Sequence, residues 1–383
     1  MLLDKKGYSY NDITIIPEVI SDVSSRQECD PFIRNNSKEK DLLPIFASPM
    51  ASVISDNNYE EFLNNKIMPI IPRNIPLETR IELMEKELWV ALSLKEFEKL
   101  FIEQSFVRLQ KKYYICVDIA NGHMKSLYDK CKKAKDLSDI NNYVLTIMTG
   151  NIANPETYEW ICRFNEKHNK RIIDYIRVGI GGGSGCITTS NVSIHYPQAS
   201  LIDECYKVTK RYFLKECPYI VADGGIRNYD HVIKALALGA NYVMIGSLFA
   251  QCIESSGLKY DYIGKDFHFD AWEKESLRMD ERGEWYGKLK LLKDEKTIGK
   301  LDVKFFGMAS ADGQKSISGE KTKTSEGITK YLSVKYTLNG WVENMISYLR
   351  SAMSYTNCKL LDSFIGKPKL IINSISEIHS VNK

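Results

Sequence analysis

One cysteine follows a run of glycines. Residues 179–191 read GIGGGSGCITTSN, so Cys186 comes after a backbone that can adopt positive φ and approach a ligand closely. If the preceding apolar run is a strand, successive amide groups in this loop can form an anion-binding concavity, which favours a nucleophilic thiolate. Thr188 and Thr189 place hydroxyl groups near the sulfur. The alternative is a structural cysteine buried in a glycine-rich turn.

A second group of residues has the composition of a phosphate site. The stretches ADGGIRN (222–228) and MIGSLF (244–249) each end a short apolar run in small or polar residues. Such loops, on neighbouring strands, can hold a phosphate with backbone amides, and an aspartate beside them can accept hydrogen bonds from ribose hydroxyls. The residues that this assigns to the substrate are Asp223, Gly224, Gly225, Gly246 and Ser247. Alternatively, the glycines only permit tight turns and Asp223 caps a helix.

The elements that must position these residues alternate between strands and helices. Five apolar runs predict strands buried on both faces, at 113–122, 143–151, 175–183, 219–225 and 242–247. Helical patterns lie between them, such as YDHVIKALALGA (229–240). The chemical residues Asp118, Asn151, Cys186, Asp223 and Ser247 all fall at strand ends. Because barrel enzymes gather their sites there, and no glycine fingerprint follows the first strand, we predict an α/β fold of the (β/α)8 TIM-barrel type over a doubly wound sheet.

Composition narrows the classes of function. The chain has 383 residues, 44% of them hydrophobic, which suits one large α/β domain or two ordinary ones, and no linker divides it, so we predict one catalytic domain over 1–383. The formal net charge of +3 predicts no nucleic-acid or membrane partner. Nine scattered cysteines without a C-x-x-C pair, and no secretory pattern at the N-terminus, predict a soluble cytoplasmic protein with free thiols.

Two segments interrupt the alternation. Residues 258–303 are charged and aromatic, and we expect them to form an insertion of hairpin or helix on the barrel rim (the rim segment). Residues 309–330, ASADGQKSISGEKTKTSEGITK, are polar and aperiodic, which is typical either of a mobile active-site flap (the flap segment) or of a surface loop.

Together these motifs resemble the family of IMP dehydrogenases and GMP reductases. The likeness rests on GIGGGSGCIT, ADGGIRNYDHVIKALALGANYVMIGSLFA, ESSG and FFGMAS in this order, and extends to YNDITIIP and ASPM near the N-terminus. The family fold is a (β/α)8 barrel, usually in a homotetramer. Many dehydrogenases carry a CBS pair after the second barrel strand, and PIIPRNIPLETRIELMEKELWVALSL runs on without room for one.

Within the family the chain looks most like a GMP reductase. CVDIANGH (116–123) is similar to the reductase form of the strand that meets the nicotinamide. The flap segment lacks the Arg-Tyr pair with which dehydrogenases hydrolyse their intermediate, and its Glu326 matches a reductase glutamate that acts with Thr188. IIPRN (70–74) instead resembles the dehydrogenase stretch, and the glycine loop lacks the family's proline and a basic residue near Thr189.

The resemblance implies a reaction and a set of roles. The Cys186 thiolate attacks C2 of GMP, ammonia leaves with help from Thr188 and Glu326, and NADPH delivers hydride to the thioimidate to give IMP. It also implies contacts from Ser184, Gly225, Gly246 and Ser247 to the phosphate and from Gly307 and Met308 to the base. The expected cofactor contacts are Asp118, Asn121, Gly179 and Gly181. A monovalent cation, K+, is expected on the carbonyls of Gly181, Gly183 and Cys186.

Two alternatives stay open. An IMP dehydrogenase without a CBS domain would use Cys186 with NAD and water to make XMP, with a displaced Arg-Tyr pair from, for example, residues 258–303. A non-enzymatic purine nucleotide sensor would keep the phosphate site and would not need Cys186.

Overall fold

A computed structural model describes residues 5–33, 41–103, 112–212, 216–261, 301–320 and 324–374 of the chain. Its centre is a closed barrel of eight parallel strands, β2 to β9, each paired with the next and β9 paired with β2. This confirms the predicted (β/α)8 barrel. The barrel strands are β2 (Ile45–Ala47), β3 (Met68–Ile71), β4 (Trp89–Leu92), β5 (Lys112–Val117), β6 (Val144–Ile152), β7 (Tyr175–Val178), β8 (Tyr219–Asp223) and β9 (Tyr242–Ile245).

The chain has the following described helices, most of which come after a barrel strand. They are α1 (Tyr59–Asn64), α2 (Leu77–Glu85), α3 (Leu94–Phe101), α4 (Lys125–Ile140), α5 (Pro155–Lys167), α6 (Thr188–Val192), α7 (Gln198–Tyr212), α8 (Tyr229–Ala237), α9 (Ser247–Ala250), α10 (Ala311–Ser318), α11 (Leu338–Tyr355) and α12 (Leu361–Phe364). Local sequence sets their limits. Helix α3, for example, begins after a Ser93–Glu96 capping box, and α8 buries Val232, Ile233 and Leu236, as its apolar spacing predicts.

Between β3 and β4, where every residue is described, the chain forms only α2 and short connections. No further domain is inserted at this point. Across the described ranges, no helix combines the length and the apolar character that a membrane crossing requires.

Two small sheets flank the barrel. Strand β1 (Ile13–Ile15) pairs antiparallel with β13 (Leu370–Ile372), which joins the two ends of the described chain. Strands β10 (Lys259–Asp261), β11 (Leu301–Phe306) and β12 (Thr329–Ser333) form a three-stranded antiparallel sheet beside the barrel mouth.

The rim and flap segments are both attached to this second sheet. The rim segment leaves through β10 and returns through β11, and its residues 262–300 lie outside the described residues, so the rim insertion remains a prediction. The flap segment is not the irregular loop that its sequence predicted, because helix α10 occupies residues 311–318. The Ser310 side chain caps this helix at the Gly313 amide, and Gly319 ends it in the left-handed region. Most positions of this helix are polar, so its sequence shows no apolar stripe from which the helix could be predicted.

Candidate active site

Cys186 lies in the loop that joins β7 to α6, at the carboxyl end of the barrel. Its backbone N–H donates to the Gly183 carbonyl (3.1 Å), which closes a tight turn, and its side chain is half-buried. The thiol donates a hydrogen bond to Thr188 Oγ1 at 3.1 Å. The cysteine is therefore exposed enough to react and in contact with the hydroxyl that the sequence placed beside it.

The flap segment brings a carboxylate to the same hydroxyl. Thr188 Oγ1 donates to Glu326 Oε2 at 3.4 Å, a long bond of the kind that tightens when a substrate binds. Backbone bonds fix the approach, because Ile187 N donates to Glu326 O and Ile328 N donates to Gly185 O, both at 3.0 Å. The flap segment and the cysteine loop thus form a short antiparallel pairing that holds Cys186, Thr188 and Glu326 in one connected set.

The close approach of Gly185, Gly307 and Gly327 allows this pairing. A Cβ on Gly307 would lie 2.6 Å from the Gly185 carbonyl oxygen, and a Cβ on Gly327 would lie 2.9 Å from the same atom. Both distances are shorter than real Cβ contacts, so a larger residue at 307 or 327 would push the flap segment away from Cys186. Met308, next to Gly307, lines the cleft, and its Sδ accepts from the Ala51 amide at 3.5 Å.

A buried ion network lies below the cysteine loop. Arg177, on β7, contacts Asp118 Oδ1 with Nη1 (2.7 Å) and Asp223 Oδ2 with Nη2 (2.9 Å). Although burial opposes its charge, the carboxylates of Asp223 and Asp118 raise the pKa of Arg177 above its ordinary value. Arg73 reaches Asp118 from the other side, with its Nη1 donating to the Asp118 carbonyl at 3.3 Å. Arg177 therefore couples the strand end expected to meet the cofactor to the strand end expected to meet the ribose.

Asp223 is held so that one of its oxygens is available. Asn151 Nδ2 and Arg177 both donate to Oδ2, at 2.6 and 2.9 Å, and within the described residues no hydrogen bond reaches Oδ1. Gly224 and Gly225 follow with φ of 90° and 75°, in the left-handed region that favours glycine. The Gly225 amide donates to the Gly182 carbonyl (2.9 Å), so the two glycine loops are joined and this amide is already used.

One hydroxyl in the glycine loop has no hydrogen-bond partner among the described residues. Ser184 Oγ is buried, and no donor or acceptor in the described ranges is bonded to it. A buried hydroxyl normally finds a partner, so this one is suited to a ligand atom. Gly246 and Ser247 lie nearby, at the start of α9.

These residues line one cleft of about 770 Å3, within the range of about 300–1,000 Å3 typical of small-molecule sites. The predicted residues that line it are Asp118, Gly179, Gly181, Gly183, Ser184, Cys186, Thr188, Asp223, Gly224, Gly225, Gly246, Ser247, Gly307, Met308 and Glu326. Asn121 is the exception, because its exposed side chain accepts from the His123 amide at 3.0 Å on a neighbouring turn and does not line the cleft.

Sequence reasoning missed several residues of the site. Arg177 is the clearest, and its signal was a single charge inside the apolar run YIRVGI, which only a specific partner could stabilise. Arg73 and Gln198 left weaker signals. Gln198 donates from Nε2 to the Val178 carbonyl at 2.7 Å, which supports the end of β7 just before the cysteine loop.

The chain also matches known proteins in sequence. Residues 7–380 match the model of the IMP dehydrogenase / GMP reductase domain. The chain is 29% identical over 380 residues to the GMP reductase of Staphylococcus carnosus, covering 97% of this chain and 98% of that protein. It is 29% identical over 290 residues to the GMP reductase of Helicobacter pylori (71% and 82% covered). It is also 25% identical over 367 residues to the GMP reductase of Onchocerca volvulus (92% and 87% covered).

Proposed function

The chain belongs to the IMP dehydrogenase / GMP reductase family, and we propose that it is a GMP reductase. In this proposal GMP, NADPH and two protons give IMP, NADP+ and ammonium through a covalent bond between Cys186 Sγ and C2 of the purine. The observation that carries it is the contact of the Cys186 thiol with Thr188 and of Thr188 with Glu326.

The direction of the two hydrogen bonds gives a route for the proton. The thiol donates to the Thr188 hydroxyl, and that hydroxyl donates to the Glu326 carboxylate. A proton can therefore pass from sulfur to Glu326 as the thiolate attacks C2. The protonated Glu326 can then return that proton to the departing amine, which must leave as ammonia.

The flap segment supports amine departure over hydrolysis. Residues 309–330 contain neither arginine nor tyrosine, so the segment lacks the Arg-Tyr pair with which dehydrogenases of the family activate water. The pairing of residues 326–328 with residues 185–187 also covers one side of Cys186. Exclusion of water matters because hydrolysis of the same covalent intermediate would give XMP.

The cleft offers complementary groups for a purine nucleoside monophosphate. We assign the phosphate to Ser184, Gly224, Gly225, Gly246 and Ser247, with the unpartnered Ser184 hydroxyl as a donor. The Asp223 Oδ1 atom is available for a ribose hydroxyl, and Gly307 and Met308 lie beside Cys186 where the base must sit. The Gly225 amide serves this site by fixing the loop, because it already donates to Gly182.

The cofactor assignment rests on the part of the cleft between Asp118 and Gly181. Gly179 and Gly181 line this part of the cleft, and NADPH would supply the hydride from this side. Asn121 would need to turn inward to take part. The Gly181 and Gly183 carbonyls, which we expect to hold a monovalent cation, each accept one hydrogen bond, from Thr189 Oγ1 (3.2 Å) and Cys186 N (3.1 Å), and keep one lone pair for the cation. The cation, the homotetramer and the cytoplasmic location stay predictions.

Replacement of Glu326 tests the proposal. Glu326→Gln keeps the shape and removes the proton acceptor, so turnover of GMP should fall about 10²–10³-fold, as for loss of a general acid, with KM for GMP little changed. Thr188→Val should give a similar loss and Thr188→Ser should restore most activity, since only the hydroxyl relays the proton. Steady-state rates of ammonia release measure all three. Turnover of Glu326→Gln within twofold of the unaltered protein would rule out this role.

One observation favours the dehydrogenase as a second candidate. Arg73 belongs to the dehydrogenase-like stretch IIPRN and lies 4.0 Å from the Asp118 carboxylate, at the side assigned to the cofactor. This candidate requires a water-activating base from outside the flap segment.

A further inference from the structure

A pair of cysteines, Cys162 and Cys217, lies at the opposite end of the barrel from Cys186. Helix α5 packs on the chain that leads into β8, where Tyr158 Oη donates to the Pro218 carbonyl (2.9 Å) and Asn165 Nδ2 donates to the Glu216 carbonyl (2.8 Å). Cys162 lies between Tyr158 and Asn165 on the same helix face, and Cys217 lies between the two carbonyls. These two bonds hold the segments that carry Cys162 and Cys217 against each other.

The two sulfurs share a hydrogen bond, and their environments differ. That hydrogen bond and the Arg171 guanidinium lower the pKa of Cys217 below its ordinary value, against the opposing effects of burial and of Glu166 and Glu216. The same hydrogen bond, together with burial, raises the pKa of Cys162. Cys217 is half-buried, whereas Cys162 is buried.

This asymmetry is that of a reactive thiol beside a resolving thiol. Redox-sensitive cysteines combine thiolate character, access to solvent and a neighbouring cysteine. A metal site does not explain the pair, since no three His, Cys, Asp or Glu side chains in the described ranges are arranged to hold an ion. Neither thiol belongs to the cleft around Cys186.

We propose that Cys217 and Cys162 form a peroxide-sensitive modification site, separate from the active site, that closes to a reversible disulfide. The Cys217 thiolate attacks a hydroperoxide, so that the S–O bond forms, the O–O bond breaks and the remaining oxygen leaves as alkoxide or hydroxide. The Cys162 sulfur then attacks the Cys217 sulfenic acid, the S–S bond forms, and the hydroxyl leaves with the Cys162 proton as water. Two thiols are oxidised and one hydroperoxide is reduced.

Peptide mapping of the full chain tests this site. A Cys186→Ser protein, which removes the active-site thiol, is treated with a small molar excess of hydrogen peroxide and digested under non-reducing conditions. The chain has nine cysteines, so the Cys186→Ser protein has one thiol fewer. We expect peroxide to remove two of its thiols, to produce a peptide linked through Cys162 and Cys217, and to be fully reversed by dithiothreitol. Adding Cys162→Ser should replace the disulfide by a sulfenic acid at Cys217 that dimedone traps.

Two matched variants keep the test decisive. Adding Cys217→Ser should abolish the oxidation, whereas adding Cys205→Ser, which alters another buried cysteine close to Cys162, should leave it unchanged. Unfolding curves under reducing conditions check that each variant is folded. A linkage to Cys205, or a free Cys217 thiol after other cysteines have been oxidised, would overturn the proposal.

Discussion

The two ends of the barrel are built from the same strands, but the amino end is lined by aromatic side chains and the carboxyl end by charged and polar groups. At the amino end, Trp89, Tyr175 and Tyr219 pack at ring distances of 5.2 Å, and Phe46, Tyr114 and Tyr242 complete an aromatic plug. At the carboxyl end, buried charges and glycine loops surround Cys186.

Along a single strand, the inward-facing side chains change from aromatic to charged within a few residues. Alternate positions of a strand face the same side, so Tyr219, Val221 and Asp223 on β8, and Tyr175 and Arg177 on β7, point into the barrel in order from its amino end to its carboxyl end. The aromatic level can be optimised for packing alone. The charged level must leave polar atoms available for a ligand, such as Asp223 Oδ1 and Ser184 Oγ. The comparison predicts that changes at the amino end alter stability only, and that changes at the carboxyl end alter chemistry.

Removal of the nucleophile should have the largest effect. Cys186→Ala should lower turnover of GMP by at least about 10³-fold, because the covalent route is lost while nucleotide binding by the loops remains. Isothermal titration should find GMP affinity within about threefold of that of the unaltered protein, since no phosphate contact changes. Residual turnover above a tenth would mean that Cys186 is not the nucleophile and that the reaction takes another route.

Removal of the buried arginine should damage both chemistry and stability. Arg177→Gln leaves Asp118 and Asp223 without their shared cation, which should cost about 3–5 kcal/mol of unfolding free energy and raise KM for GMP. Denaturant unfolding and steady-state kinetics measure the two effects. Arg163→Gln is the matched control, since its ion pair with Glu159 is exposed and should matter by about 0–1 kcal/mol. If the two substitutions had equal effects on stability and KM, the buried ion pairs of Arg177 would matter no more than an exposed ion pair, which would contradict this prediction.

Truncation in the aromatic plug should affect stability alone. Trp89→Ala should cost about 3–5 kcal/mol, whereas Trp89→Phe should cost less because most of the ring volume stays. The rate per folded molecule should stay within twofold. A tenfold fall in that rate for folded protein would show that the amino end also controls the chemistry.

The smallest effect is expected at the base of the flap segment. Asp312 accepts from Thr329 Oγ1 (2.5 Å) and from Lys304 Nζ (3.1 Å), and these partners lower its pKa below the ordinary value. Asp312→Asn should reduce turnover about two- to tenfold, the worth of a single hydrogen bond. Because the folded pKa is lowered, the stability that Asp312 contributes is present above its unfolded pKa and is lost as the pH falls through the folded value. Melting temperatures of the two proteins should therefore differ at neutral pH and converge in acid, and a constant difference would contradict this.

The parts of the fold that sequence predicted were those with local signals. Long apolar runs located β5 to β9, and the chemistry at their ends indicated a barrel. Strands such as β2, with three residues, were too short to show a pattern, and α10 had no apolar stripe. The ion network was invisible because Asp118 and Arg177 lie 59 positions apart, and no local pattern says which charges meet.

Within the site, sequence predicted residue types better than contacts. The glycine loop and the strand-end aspartates were found directly. The contact between Thr188 and Glu326 spans 138 positions and was implied only by the family resemblance. The engagement of the Gly225 amide by Gly182, and the outward side chain of Asn121, depend on loop geometry that residue types do not determine.

Two parallel assays on the unaltered protein distinguish a GMP reductase from an IMP dehydrogenase. One follows NADPH oxidation and ammonia release after addition of GMP, and the other follows NADH formation after addition of IMP and NAD. For a GMP reductase we expect equal amounts of NADP+ and ammonia in the first assay and no NADH in the second. Activity only in the second assay would contradict it, because a base other than Glu326 would then be activating water at Cys186.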